Sequence, residues 1–325
     1  MVITQTRNHS LDTLKCVASI LIVFLHYNKV DGYYGVLYSD VVRAIARCAV
    51  PLFFMITGYY LPIVASKGEL YRQVKKVVRL ALGATAFYFS YRCVDALCAG
   101  ELMQWLQEHY SPGAVFSWLI LNDDPSGYHL WYLYGLLYSL IFYQYLYKVE
   151  KQGLISYITC AMFMLVVVSN YTGILFVRNY LLGIPCIGMG IMIRNNQLKL
   201  KDHILKLAIL LCMVLIIVEM QFVKNWLGVS FDIYTLSASL SACLLIFGIK
   251  HPNIGKEIGI SVIGMKYSAY IYIFHVFVDN IIGKFVVYDT VLLQIIRPFT
   301  TFGASLLFSI LYVNFKNRIY GTQKI

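Results

Sequence analysis

Charge is what this sequence has least of. Only 13% of its 325 residues are charged, 59% are hydrophobic, and the mean hydropathy is +0.68. Soluble domains carry about 25% charged and about 45–50% apolar residues. So few charges cannot cover so much apolar surface in water, and lipid must therefore be the solvent for much of the chain. Patterned cysteine is missing too. The eight cysteines lie almost wholly within apolar segments, as Cys16, Cys160, Cys186, Cys212 and Cys243 do, and only Cys93 and Cys98 are close in sequence. Without a CxxC pair there is no disulfide framework and no zinc site to read. There is no internal repeat, no low-complexity tract and no evident cleavable signal peptide. The first apolar run, from Leu11 to Tyr27, contains a charge, and no small-residue cleavage site follows it.

What remains is a series of apolar runs. They cover about 11–29, 42–64, 74–97, 128–147 and 154–170, then 176–193, 204–222, 233–249, 265–282 and 296–315. The length accommodates about ten spans of roughly 20 residues plus loops, and no added soluble domain. The expected architecture is all-α, a polytopic transmembrane helix bundle of about 10 helices forming one domain over 1–325. The longest gap, 98–127, holds Trp105, Trp118 and several acidic residues, and reads as an interfacial hairpin or a re-entrant segment.

The net charge of +11 does not indicate nucleic acid, because the cations sit between apolar runs rather than on one compact face. They instead set an orientation. With the N-terminus inside, 18 of the 27 Lys and Arg fall in cytoplasmic segments, and both termini are expected to be cytoplasmic.

An ionisable group within a span costs several kcal/mol unless it faces a cavity or a partner, so such groups are where chemistry is sought. The first span carries Asp12, Lys15 and His26. Lys15 and His26 are three turns apart on one face, about 16 Å along the axis. Asp12 lies one turn before Lys15 and can pair with it. The plain alternative has Lys15 reaching inward and His26 at the outer interface. Arg43 and Arg47 open the second run one turn apart, either as anion binders at the outer end or as interfacial anchors. His129 and Trp131 open the fourth run within Tyr128-His129-Leu130-Trp131-Tyr132-Leu133. In the ninth, His275 and Asp279 are one turn apart. The carboxylate either fixes the imidazole tautomer, or the pair is a buried structural bond. Glu219 and Asp95 lie near span ends and read as interfacial; Arg92 and Arg178 have no clear assignment.

Together these residues resemble the membrane acyltransferase family 3, whose members O-acylate polysaccharides, lipid-linked sugars, peptidoglycan or small molecules. The family's first span has an arginine, ten residues and a histidine, often with an aspartate one turn earlier. Here the counterpart is Asp12-Thr13-Leu14-Lys15, ten residues, then His26; lysine keeps the charge but loses the planar fork. Phe53-Phe54-Met55-Ile56-Thr57-Gly58-Tyr59, after Arg47 and Pro51, is similar to the family's FF and Ser-Gly-Tyr signature, with Thr for Ser. The His129-Leu130-Trp131 and Tyr272-Ile273-Phe274-His275 stretches also resemble family features, in the same order.

The resemblance implies a bacterial inner-membrane acyltransferase that modifies a sugar or envelope glycan, with His26 catalytic and acetyl-CoA as donor co-substrate. It implies no tightly bound cofactor. Arg47 would stabilise an oxyanion. Lys15, Asp12, Arg43, His129, Trp131 and His275 would line the substrate. The inner cations Arg72, Lys75, Lys76 and Arg79 would meet the donor's phosphates. Expected partners are membrane lipid, a glycan acceptor and envelope glycan biosynthesis proteins, with no nucleic acid. Two other classes fit a polytopic chain: a transporter or flippase, and a glycan polymerase using a lipid-linked sugar. Paired broken helices and a large outer loop, their usual features, are not evident.

Overall fold

The computed structural model describes residues 7–122, 124–172, 181–196, 200–231 and 233–321. Its regular elements are helices, with no strand among the described residues. In order they are α1 His9–Tyr27, α2 Tyr33–Ala46, α3 Ala49–Ser66, α4 Leu70–Ala99, α5 Leu102–Tyr110, α6 Pro112–Leu121 and α7 Trp131–Lys148. Then come α8 Ile155–Thr172, α9 Gly183–Asn196, α10 Asp202–Leu227, α11 Thr235–Lys250, α12 Ile260–Lys266, α13 Ser268–Gly283 and α14 Val291–Tyr320. A 3-10 turn, Tyr128–Leu130, leads into α7.

Helix ends follow local chemistry. The Asn8 side chain accepts from the Leu11 N–H and caps α1, with Asp12 in the first turn to complement the helix dipole. Ser111 caps α6, whose first residue is Pro112, at a position where the missing N–H has no intrahelical partner. Two short helices, α5 and α6, meet at Ser111 and occupy the 98–127 gap, so that segment is a helical hairpin.

Among the described residues, five stretches are long and apolar enough to cross a membrane: α1, the α2–α3 stretch Tyr33–Ser66, Gln152–Thr172 including α8, α10 and α14; the bent pair α12–α13, taken as one span, makes a sixth. Only 22%, 17% and 22% of α8, α10 and α14 is buried within the chain, so most of their apolar surface faces outward. Only lipid accepts that surface together with helices that satisfy their own backbone, and the chain is a multi-pass membrane protein. The runs 74–97, 128–147 and 233–249 lie mainly on α4, α7 and α11, and the described part of 176–193 lies mainly on α9. α4 and α7 are interrupted by charge and by tyrosine, and α11 has 16 residues.

Two runs that read as continuous are broken. The 42–64 run is split at Arg47 and Cys48 into α2 and α3. The 265–282 run bends by 78° between α12 and α13. The first break ends α2 beside Arg47, which matters below.

The chain forms two compact units, Met1–Phe53 with Leu198–Ile325, and Phe54–Gln197. In the first, Ala44, Cys48, Ile216, Met220, Val223, Phe231, Tyr234 and Leu240 form a buried cluster joining α2, α10 and α11. There α1 lies so close to α12 that a Cβ on Gly264 would overlap the Asp12 carbonyl. In the second, α9 lies against the later part of α3. A Cβ on Gly58 would overlap the Ile187 carbonyl, and one on Gly190 the Met55 carbonyl. Small residues let helix backbones approach this closely in lipid.

Candidate functional site

His26 stands in the last turn of α1. Its ring neighbours that of His275 on α13, with centroids 5.3 Å apart and planes tilted by 31°. Tyr27 lies edge-on to His275 at 6.1 Å. His275 is fully buried, and its Nδ1 is 2.6 Å from the Tyr272 carbonyl oxygen. A carbonyl can only accept, so Nδ1 carries the proton and, in the neutral ring, Nε2 carries the lone pair.

The arginines come from the break in the second apolar run. Arg43 is in the last turn of α2, and its Nε donates to the Leu25 carbonyl at 3.1 Å, one residue before His26. Arg47 caps α2. A terminal nitrogen of its guanidinium donates to Ser230 Oγ at 3.2 Å, and the group stands 5.6 Å from the centre of the Tyr234 ring. With 6% of its surface exposed, Arg47 is no interfacial anchor. Arg43, Arg47 and Lys29 are near enough for their charges to act on His26. The four residues His26, His275, Arg43 and Arg47 therefore form one cluster within the first unit.

The sequence paired Asp279 with His275, as tautomer partner or as a buried structural bond, and the structure gives the carboxylate other partners. Asp279 takes a two-pronged contact from Arg297 on α14, Nε at 3.0 Å and a terminal nitrogen at 2.6 Å, and Thr301 Oγ1 donates to it at 2.8 Å. The Arg297 guanidinium also stands 5.1 Å from the Tyr27 ring centre and 4.6 Å from that of Tyr288. The tautomer-setting partner of His275 is instead the Tyr272 backbone, an i−3 carbonyl that no side-chain pattern announces. Glu219, read from the sequence as interfacial, is half-buried. Its carboxylate accepts the Thr235 N–H at 2.9 Å and so caps α11 directly after Tyr234, the aromatic neighbour of Arg47.

At the other end of α1, Asp12 pairs with Lys15 at 3.1 Å as the spacing requires, and with Arg7 at 2.9 Å. Lys15 is thus held by its own helix about 16 Å along the axis from His26.

The remaining candidates belong to the second unit. His129 is buried in the turn before α7, edge-on to Tyr88 at 4.8 Å. The Trp131 carbonyl receives the Asn122 side-chain N–H at 2.9 Å. Nearby, Asp124 is buried and accepts from Thr85 Oγ1 at 2.7 Å and from the Ser126 N–H at 2.9 Å; burial nonetheless holds its carboxyl above the usual range. Arg72, Lys75, Lys76 and Arg79 follow an i, i+3, i+4, i+7 pattern, are all exposed, and form one cationic face of α4 opposite buried Val74, Val77 and Ala81. Arg178 lies outside the described residues.

A family model described as an acyltransferase domain, acyltransferase family 3, matches residues 8–314. Neither a curated protein nor a solved structure matches the chain.

Proposed function

The chain belongs to acyltransferase family 3 and is a membrane acyltransferase; from that premise we propose that it moves an acetyl or other short acyl group from acyl-CoA to a sugar hydroxyl. The acceptor would be an envelope or surface glycan, or its lipid-linked precursor, in the bacterial inner membrane. The observation that carries this reading is the pairing of His26 with His275 beside Arg43 and Arg47.

The chemistry runs as a single displacement. In the reaction the Nε2 lone pair of His275 would accept an N–H of the neighbouring His26 ring, leaving the other His26 nitrogen as the base. That nitrogen takes the proton of the attacking hydroxyl as its oxygen bonds to the thioester carbon. The carbonyl oxygen gains negative charge, and a guanidinium donor on Arg47 stabilises it in a site shielded from water. The carbon–sulfur bond then breaks, the His26 proton passes to the departing thiolate, and the products are an O-acyl ester and free CoA. Arg43, bonded to the Leu25 carbonyl, fixes the last turn of α1 and with it the His26 backbone.

The test is acetyl incorporation into envelope glycans, with the wild type compared with His26→Ala at equal membrane abundance. Loss of acetyl with normal glycan length is the expected result. Unchanged acetylation would remove His26 from the mechanism, and a shortened or missing glycan would favour a polymerase or flippase.

A further inference from the structure

An asparagine stands at each end of α1, Asn8 before its first turn and Asn28 after its last. Asn8 uses both ends of its carboxamide. Its Oδ1 accepts the Leu11 N–H at 3.0 Å, and its Nδ2 donates to the Gly248 carbonyl at 3.1 Å. Asn28 uses neither. It is fully buried, and among the described residues neither its Oδ1 nor its Nδ2 has a hydrogen-bond partner. A buried polar group left unpaired costs stability that an apolar side chain of the same shape would not.

The backbone holds this amide inside. The Asn28 N–H donates to the Phe24 carbonyl at 3.0 Å. Two residues on, the Val30 N–H donates to Ser39 Oγ of α2 at 2.9 Å. The Asp31 N–H donates to Gln294 Oε1 of α14 at 2.8 Å, and Gln294 Nε2 donates back to Asp31 Oδ2 at 2.5 Å. α2 also packs tightly on this segment, since a Cβ on Gly35 would stand 2.8 Å from the Val30 carbonyl oxygen. The chain is thus fastened on both sides of Asn28 while the side chain itself is left uncommitted.

Its place is next to the reaction. Asn28 follows His26 by two residues, which puts the two Cα atoms within about 8 Å. The unpaired atoms define what completes them. A thioester carbonyl and the oxyanion formed from it can only accept hydrogen bonds, and either would leave Oδ1 unpaired. A hydroxyl both donates and accepts, and a sugar presents hydroxyls on adjacent carbons. We infer that Asn28 binds the acceptor sugar beside the attacking hydroxyl, one neighbouring hydroxyl donating to Oδ1 and another sugar oxygen accepting from Nδ2. The inference rests on the sugar acceptor of the proposed function. Asn28 then selects acceptors by their hydroxyl pattern, while His26 takes the proton of the hydroxyl that is presented.

The experiment is steady-state transfer from radiolabelled acetyl-CoA by the purified full chain in nanodiscs. The acceptor is the envelope glycan fraction of a strain that lacks this protein. Asn28→Leu, close to asparagine in shape, should raise the glycan KM about 10- to 100-fold, the loss of two neutral hydrogen bonds, and leave the acetyl-CoA KM nearly unchanged. Asn28→Ala should do the same, which excludes a clash from the leucine side chain. The melting temperature of Asn28→Leu should hold or rise, because the variant removes two unpaired polar atoms. An unchanged glycan KM in both variants overturns the inference. So does a raised acetyl-CoA KM with a normal glycan KM, which would assign the amide to the thioester. A melting temperature that falls along with the rate in both variants overturns it as well and makes Asn28 part of the fold. The two readings fail differently. A wild type that transfers no acetyl to glycan removes the proposed function and this inference with it, whereas transfer that Asn28→Leu matches removes the inference alone.

Discussion

His26 and His275 lie on different helices with ring centroids 5.3 Å apart, and the protonated nitrogen of His275 is committed to the Tyr272 carbonyl. His275→Asn should therefore lower kcat for thiol release from acetyl-CoA by about 10- to 100-fold, at the low end of general acid–base contributions, and leave KM nearly unchanged. His26→Ala should lose about 10²–10⁴-fold. A His275→Asn enzyme with a normal kcat and pH profile would limit the second imidazole to packing.

Arg47 makes two different contacts, a hydrogen bond to Ser230 and a face-on approach to Tyr234. Lysine keeps the charge and loses the fork. Arg47→Lys should cut kcat by about 10²-fold, as loss of an oxyanion donor does, with a much smaller change in thermal stability. Kinetics and a melting curve on the same preparation decide this. If the melting temperature falls as sharply as the rate, Arg47 acts on the fold instead.

The Asp279–Arg297 pair is a stability element. Asp279 is 2% exposed and takes three hydrogen bonds, two from Arg297 and one from Thr301. Removing one member leaves an uncompensated charge at a cost of about 3–5 kcal/mol. Asp279→Ala should lower the melting temperature in detergent markedly. The Asp279→Ala/Arg297→Leu double variant should recover part of the loss, because it removes the stranded charge as well. Additive losses would count against the pair.

The glycines of the second unit make a separate prediction. Gly190→Ala places a methyl group against the Met55 carbonyl, and forcing helices apart costs about 1–3 kcal/mol. Gly83→Ala in α4 meets no atom within 4 Å and should gain up to about 1 kcal/mol from helix propensity. Thermal unfolding of the two variants should shift in opposite directions.

Much of this protein is legible in its residues alone. Low charge and long apolar runs dictate helices in lipid, because no other open structure satisfies its backbone there. The Asp12–Lys15 pair follows from spacing on one helix. The family was readable as well, from Lys15, ten residues and His26 taken with the later motifs, and the matched stretch 8–314 bears it out.

Tertiary structure decided which of the spaced groups meet. Asp279 sits one turn from His275 and yet bonds Arg297, because a guanidinium on a neighbouring helix offers two donors to a buried carboxylate while the imidazole Nδ1–H already donates to a backbone carbonyl. The breaks at Arg47 and Tyr267 are likewise invisible to hydropathy, which averages over a window and does not register where one helix ends and another begins. Sequence spacing sets which residues share a helix face; contact between helices depends on the fold of the whole chain.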